Sequence, residues 1–125
     1  MRLLLDSHVF LWWQAADPRL PKTIVATIAE AQEVFVSAAT AWELGLKVML
    51  GKLHLPEPVE DGVRASGFRE LAVTFDHTRR AVALPPHHRD PFDRMLVAQA
   101  LCEGLAIVTH DDQVARYEVP VLRVP

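Results

Sequence analysis

The sequence has little of what disulfide-rich, zinc-binding or membrane proteins need. Its 125 residues include a single cysteine, Cys102, so no disulfide can form within the chain, and a reducing cytoplasm suits it. No group of Cys and His residues has the spacing of a zinc site. The longest apolar runs are too short to span a membrane, and no secretory signal precedes the first predicted strand, which begins at Arg2. We therefore expect a cytoplasmic protein that is not inserted in a membrane.

The chain also lacks repeats, low-complexity tracts and linkers, and it has no excess of basic residues. Half of its residues are hydrophobic, which predicts one folded domain over residues 1–125 with a substantial core. A formal net charge of −3 usually argues against a nucleic-acid partner. Four of the acidic residues sit in unusual places, however, and without them the remaining charge is slightly positive. Net charge therefore neither excludes nor supports RNA or DNA as a partner.

Apolar runs alternate with helical patterns along the whole chain. The runs predict strands over 2–5, 34–37, 70–73, 105–108 and 121–124. The helical patterns cover 7–16, 18–31, 38–50, 76–84 and 91–104, with shorter helices before Gly67 and over 112–117. Continuous apolar strands that alternate with helices indicate a three-layer α/β/α domain around a mostly parallel sheet of four to five strands.

Four acidic residues lie in or beside otherwise apolar elements: Asp6, Glu43, Asp93 and Asp111. Burying an unpaired carboxylate is costly, and the cost is avoided by pairing or by metal coordination. Asp6 and Asp111 each follow a predicted strand, so both are expected at the carboxyl edge of the sheet, where α/β proteins bind ligands. Together the four acids could form one cleft.

Two of these acids also have simpler explanations. Asp6 could merely cap the helix that follows it, since Asp is a favoured N-cap residue. Glu43 could simply pair with Lys47 one turn later. The helix around that pair is nearly apolar on all sides, which predicts that it is buried and that Glu43 points into a cleft.

The other two acids have neighbours that compete for their roles. Asp90 is the expected cap of the helix that begins at Pro91, and Asp93 could simply favour that helix N-terminus. Asp93 nevertheless heads the stripe of the helix that faces the sheet, so it points toward the same edge as Asp6. Of the last pair, Asp112 is the better candidate for a helix cap, which leaves Asp111 nearer the strand end.

Carboxylates that share one cleft repel each other unless a cation neutralises them. Ligands that are all oxygen atoms favour Mg²⁺ or Mn²⁺ over zinc. A hydrated Mg²⁺ held by a few carboxylates and a substrate phosphate is the usual arrangement in phosphoryl-transfer sites. The acids therefore predict a hard-cation site suited to phosphate chemistry.

Four segments that contain these acids resemble those of a known family: 4–8 with Leu11 and Trp12, 37–43, 88–94 and 107–111. In order and spacing they are similar to the PIN-domain ribonucleases, in particular the VapC-type toxins of bacterial toxin–antitoxin pairs. The resemblance implies a PIN-like fold and a Mg²⁺- or Mn²⁺-dependent endoribonuclease that leaves a 5′-phosphate and a 3′-hydroxyl. It also implies a cognate antitoxin and a homodimer as partners.

The resemblance further suggests a role for each residue of the site. Asp6 and Asp93 are expected as direct metal ligands, with Asp111 bound directly or through water. Glu43 would orient the attacking water or hold a second ion, and Asp90 would support the site as a helix cap.

Residues around the acids are candidates for binding RNA. Arg89, Arg94 and Lys47 could contact the RNA backbone. Thr109 matches a polar position that the family often has beside its fourth acid. His88 lies in a polar loop after two prolines, where it could either approach the substrate or be merely exposed.

Other functions remain open on the residues alone. A phosphatase of the haloacid-dehalogenase type would need a second Asp where this chain has His8. A phosphoacceptor receiver domain would need paired acids after its first strand and an Asp at the end of its third, which is absent. A binding module without catalytic activity is the alternative of a different class, and it requires no metal.

Overall fold

The computed structural model describes residues 1–125 and contains five strands. The strands are β1 (Arg2–Leu5), β2 (Glu33–Ser37), β3 (Arg69–Leu71), β4 (Ala106–Thr109) and β5 (Val121–Arg123). They form one sheet in the order β3-β2-β1-β4-β5, and every neighbouring pair is parallel. The predicted mostly parallel sheet is therefore confirmed and is parallel throughout.

Helices connect the strands, and together with one short turn of 3₁₀ helix they complete the fold. They are α1 (Ser7–Gln14), α2 (Lys22–Glu30), α3 (Ala38–Met49), α4 (Val59–Ala65), α5 (Phe75–Ala83), α6 (Pro91–Glu103) and the 3₁₀ turn Val114–Arg116. This alternation of strands and helices confirms the predicted α/β class. No helix is long and apolar enough to cross a membrane.

Alternate residues of the central strand divide the core into two halves. Leu3 and Leu5 face the half formed with α1, α2 and α4, whereas Leu4 faces the half formed with α6 and the 3₁₀ turn. All three side chains are fully buried. Because successive side chains of a strand point to opposite faces, a strand buried on both faces reads as a continuous apolar run. The sequence Leu3-Leu4-Leu5 is such a run.

The strand order places a crevice beyond the carboxyl ends of β1 and β4. The sheet grows from β1 through β2 and β3 in one direction, and through β4 and β5 in the other. Connections therefore leave the two central strands toward opposite sides, and such a switch point is where open α/β sheets bind ligands. Asp6 directly follows β1, and Asp111 lies two residues past the end of β4.

The predicted start of the second helix at Pro18 is wrong. Helix α2 begins at Lys22, and Asp17 instead closes a turn in which its Oδ1 accepts the N–H of Arg19 at 2.8 Å. Pro21 explains the difference, since a proline disfavours helical geometry in the residue before it and cannot donate a helical hydrogen bond.

The prediction that α3 is buried on all sides is also wrong. Ala39, Thr40, Glu43 and Leu44 form its buried face. Trp42 is 65% exposed and Met49 is 72% exposed. The helix therefore presents an apolar surface to solvent, which is a feature of protein interaction sites.

We expect Leu4→Ala to lower the free energy of unfolding by about 2–5 kcal/mol, because the cavity would open in the most enclosed strand of the sheet. Leu50→Ala is the matched control: Leu50 is 61% exposed, and such surface changes stay within about 0.5 kcal/mol. Urea denaturation of the two variants measures both values. Similar losses in both variants would contradict this account of the core.

Candidate active site

Asp6 is a buried carboxylate that serves both the fold and the crevice. It is 4% exposed. Its Oδ1 accepts the backbone N–H of Val9 at 2.8 Å and so caps α1. Its Oδ2 accepts the hydroxyl of Thr109 at 2.5 Å. The capping role and the position in the crevice, which the sequence left as alternatives, therefore occur together.

Thr109 links the ends of the two central strands. While its hydroxyl donates to Asp6, its Oγ1 accepts the backbone N–H of Asp111 at 3.0 Å. The residue is fully buried. This geometry favours a positioning role for Thr109 over the predicted contact with substrate.

Asp111 holds its place through a turn just past β4. Its Oδ1 accepts the N–H of Gln113 at 2.7 Å, a hydrogen bond typical of an aspartate turn. The expectation that Asp112 would cap the following helix is wrong. Asp112 pairs with Arg123 instead, and the 3₁₀ turn begins later than expected, at Val114, with Gln113 as its N-cap residue and no side chain capping it.

His88 joins Asp93 to Asp111, and its position was not predicted from the sequence. Its Nε2 lies 3.0 Å from Oδ2 of Asp93 and 3.1 Å from Oδ2 of Asp111. Its Nδ1 accepts the N–H of Asp90 at 3.2 Å, which places a proton on Nε2, facing both carboxylates. Ligand atoms of His88, Asp93 and Asp111 all lie within 4.8 Å of one another.

Helix α6 delivers Asp93 from its first turn. As predicted, Asp90 caps this helix: its Oδ1 accepts the N–H of Phe92 at 2.8 Å and that of Asp93 at 3.3 Å. Pro91 occupies the first helical position, where its missing N–H does no harm. The cap and the crevice residue are thus separate, as the core-facing stripe indicated.

Glu43 lies on the buried face of α3. It is 9% exposed, and its Oε2 lies 3.6 Å from Nζ of Lys47. It makes no hydrogen bond to Asp6, Asp93 or Asp111. One turn earlier, the hydroxyl of Thr40 is buried without a hydrogen-bond partner. Spacing of three residues places Thr40 and Glu43 on the same face of α3.

The carboxylates in the crevice carry negative charge that their surroundings only partly balance. Burial, followed by the negative charge of Asp90, raises the pKa of Asp93 to about 7; His88 opposes this, while Asp6 and Asp111 add to it. Burial also raises the pKa of Asp6, against the hydrogen bonds from Thr109 and Val9. A raised carboxyl pKa indicates that the site has too little positive charge to stabilise the ionised carboxylate.

Asp111 differs from these two acids. Burial would raise the pKa of its carboxyl, but the N–H of Gln113 and the side chain of His88 outweigh burial and lower it. The cleft therefore holds one easily ionised carboxylate beside two that resist ionisation. Such a set of carboxylate oxygen atoms, with net negative charge, fits a hard divalent cation.

The predicted RNA-binding residues differ in their surroundings. The two terminal guanidinium nitrogens of Arg94 donate to four backbone carbonyls and to the Tyr117 hydroxyl, at 2.8–3.3 Å. This favours a role for Arg94 in holding the loop that carries His88, rather than a contact with RNA. Arg89 is exposed and forms no ion pair, so it remains a candidate. Lys47 is paired with Glu43.

Residues 3–120 match the family model described as PIN domain. A ribonuclease of Mycobacterium tuberculosis, VapC22, is 33% identical over 121 residues, which cover 94% of this chain and 93% of that protein. The chain belongs to the PIN-domain family. Within it, the chain is a homologue of the VapC ribonucleases, so the predicted resemblance and enzyme class are confirmed.

Solved structures show the same fold at lower sequence identity. VapBC2 from Rickettsia felis, bound to a DNA fragment from the promoter, matches with a TM-score of 0.74 at 13% identity, over 98% of both chains. DNA-bound VapBC from Salmonella typhimurium matches with a TM-score of 0.73 at 16% identity, over 100% of this chain and 99% of that one. These structures show that the chain shares their fold. The VapC22 homologue and the family model place it among the PIN-domain VapC ribonucleases, which typically depend on metal.

We expect Asp93→Asn to remove a pH dependence from the stability of the metal-free protein. The ordinary carboxyl pKa of 3.8 rises to about 7 in the folded chain. Between those values the folded state holds a proton that the unfolded state has released, so stability falls as the pH rises through this window. At pH 8, well above it, the variant should be more stable than the parent by about 1–2 kcal/mol.

Urea denaturation in the presence of a chelator, at several pH values from 5 to 8, measures this difference. Asp76→Asn is the control, because Asp76 lies on α5 with its side chain 76% exposed. Parallel curves for the parent and Asp93→Asn would show that Asp93 is ionised as readily as an exposed carboxyl.

Proposed function

We propose that this protein cleaves RNA internally, with bound Mg²⁺ or Mn²⁺, as the toxin of a toxin–antitoxin pair. One observation carries the proposal: three carboxylates from separate parts of the chain meet at one edge of the sheet. Ligand atoms of Asp93 and Asp111 lie within 4.8 Å of each other beside His88, and Asp6 accepts the hydroxyl of Thr109 at the end of β4. Burial, followed by the charge of Asp90, raises the pKa of Asp93 to about 7. Strongly perturbed carboxylates that face a cleft are typical of functional sites.

Asp6, Asp93 and Asp111 would hold the cation. A bound Mg²⁺ or Mn²⁺ supplies charge that polarises the scissile phosphate and lowers the pKa of a water molecule. Thr109 fixes the carboxylate of Asp6, and His88 holds those of Asp93 and Asp111 in position. Positioning of this kind by neighbouring groups commonly changes metal affinity or activity 10- to 100-fold.

Glu43 would orient the attacking water and accept its proton. Its carboxylate is buried and paired with Lys47 on α3, the helix that follows β2, and β2 is the strand paired with β1. The water oxygen forms a bond to phosphorus as the bond from phosphorus to the 3′-oxygen breaks, and the 3′-oxygen takes up a proton. The products are a 5′-phosphate and a 3′-hydroxyl. Arg89 is exposed and unpaired beside this cleft, so it is available to the RNA backbone.

We infer an antitoxin and a second copy of this chain as partners. One solved structure of similar fold, from Klebsiella pneumoniae, is named a toxin–antitoxin complex. The exposed apolar surface of α3 and its C-cap consists of four residues, each between 41% and 72% exposed: Trp42, Val48, Met49 and Leu50. We assign this surface to the homodimer, because burying it would remove the largest apolar side chains of α3 from water.

We expect cleavage of RNA to require a divalent cation and an intact Asp6. Purified protein, free of antitoxin, is incubated with structured and unstructured RNA, with Mn²⁺ or with EDTA. Asp6→Asn should keep the helix cap and lower the rate by more than about 100-fold, because a direct ligand matters more than its outer neighbours. Gel analysis of the products, with end-group mapping, measures rate and product chemistry together.

Asp76→Asn serves as the control, since its exposed carboxylate pairs only with Arg79 on α5. It should cleave RNA at the parental rate. Persistent cleavage in EDTA, or equal activity of the Asp6→Asn variant, would refute the mechanism. Absence of cleavage in every protein, with unchanged antitoxin binding, would favour a binding module.

The dimer is tested with Met49→Lys, which places a charge on the exposed end of α3, where lysine suits the helix C-terminus. We expect the variant to elute as a monomer in light-scattering chromatography and to keep the parental circular dichroism spectrum. Val82→Lys is the control, because Val82 is equally apolar and 83% exposed but lies on α5. If the dimer persists with Met49→Lys and dissociates with Val82→Lys, the interface lies on α5 and not on α3.

A further inference from the structure

Three aromatic rings and one guanidinium group lie together beside the acidic crevice. The ring of His110 lies 4.9 Å from that of Trp12 and 5.5 Å from that of His8, measured between centroids. The guanidinium carbon of Arg19 lies 5.0 Å from the centroid of the Trp12 ring. We refer to His8, Trp12, Arg19 and His110 as the aromatic platform.

The platform sits next to the proposed scissile position because of its place in the chain. His8 follows Asp6 by two residues on α1, and His110 immediately precedes Asp111 at the end of β4. Both imidazoles are close enough to Asp6 to influence its carboxylate. The two rings therefore flank the switch point on the side where the catalytic acids lie.

The platform has one buried ring and two exposed rings. Trp12 is 8% exposed and packs into the core, whereas His8 and His110 are exposed. Arg19 is held over Trp12 by Asp17, whose carboxylate it contacts at 2.7 Å and 3.1 Å. The exposed rings make no ion pair and are not part of the core cluster, so packing alone does not explain why they are aromatic.

A groove of about 390 Å³ opens beside His8, Trp12 and Arg19, and His110 lies outside its lining. His8, Trp12 and Arg19 line one part of it, and Leu53, His54 and Leu55 line another. This volume lies in the range of small-molecule sites, which combine apolar walls with a few polar groups. His54 and the charged residues of its rim offer donors and acceptors to the edge of a planar ring.

We propose that the aromatic platform binds a nucleobase of the RNA, the one adjacent to the scissile phosphate, by stacking. The inference rests on the proposed function, since it assumes RNA cleavage at the acids. Proteins recognise single-stranded RNA largely by stacking unpaired bases on aromatic side chains or on arginine. A strand whose phosphate reaches Asp6 and Asp111 must place a neighbouring nucleoside beside His8 and His110.

Stacking accounts for features of the groove that binding of the phosphate backbone would not. The crevice beside it is acidic, and Arg19, the one cation of the platform, is already paired with Asp17. Backbone affinity normally comes from unpaired Lys and Arg. An RNA held at this point therefore needs an attachment that does not depend on charge, and the faces of the rings provide it.

The test compares binding of a single-stranded oligoribonucleotide to the Asp93→Asn protein and to the same protein carrying His8→Ala with His110→Ala. Asp93→Asn prevents cleavage and leaves the α1 cap intact. One base beside the cleavage position, mapped with the parent enzyme, is replaced by 2-aminopurine, whose fluorescence is quenched on stacking. We expect binding to weaken by on the order of tenfold or more in the double alanine variant, with loss of the quenching.

Replacing both histidines by phenylalanine should restore binding and quenching, because stacking requires a ring and not a nitrogen atom. Phe75→Ala is the control for removal of an exposed ring, as Phe75 is 86% exposed on α5. An oligomer with an abasic residue at the same position tests the platform without changing the protein. The unsubstituted platform should bind this oligomer as weakly as the double alanine variant binds the intact one.

Equal affinity for intact and abasic oligomers would overturn the proposal and leave the groove to a protein partner. Unchanged quenching in the double alanine variant would overturn it as well. If the parent enzyme cleaves RNA while either of these results is found, only the platform is refuted. If the parent fails to cleave any RNA in Mn²⁺, the proposed function itself fails.

Discussion

Repulsion between carboxylates that share one water-poor crevice is the constraint on which the rest of this structure depends. Each acid is held in place by a hydrogen bond that the local fold makes available: Val9 and Thr109 hold Asp6, and Gln113 holds Asp111. Without those fixed donors the charged groups would separate or bind protons. The crevice therefore holds negative charge that a divalent cation can neutralise. The surrounding strands and helices keep the carboxylates close together.

The fold, and the positions of three of the four acids at the edge of the sheet, could be predicted because each follows from a local sequence pattern. Continuous apolar runs identify buried parallel strands, and strand ends at a switch point locate Asp6 and Asp111. The stripe of α6 that faces the sheet locates Asp93. The position of Glu43 was predicted from a helix expected to be buried on all sides. Trp42 and Met49 of that helix are exposed, so the expected burial is wrong.

The residues that could not be predicted depend on contacts distant in sequence. His88 lies in a loop without a secondary-structure signal, and its position follows from the carbonyls that Arg94 binds and from the Tyr117 hydroxyl, which accepts its backbone N–H at 3.0 Å. The prediction that Arg94 contacts RNA has the same origin, since an arginine beside acids suggests a phosphate contact, whereas its guanidinium group here donates to backbone carbonyls. One signal was available: an imidazole two residues before a helix cap can accept the N–H of that cap, as His88 does for Asp90.

The hydrogen bond from Thr109 to Asp6 joins residues that are 103 positions apart in the sequence. Strands β1 and β4 can pair only after β4 has been synthesised. Pairings between segments so far apart in sequence also form slowly. On the ribosome, a growing chain therefore carries its first acid long before the second strand can meet it. The crevice can therefore assemble only after β4 has been synthesised and has left the ribosome.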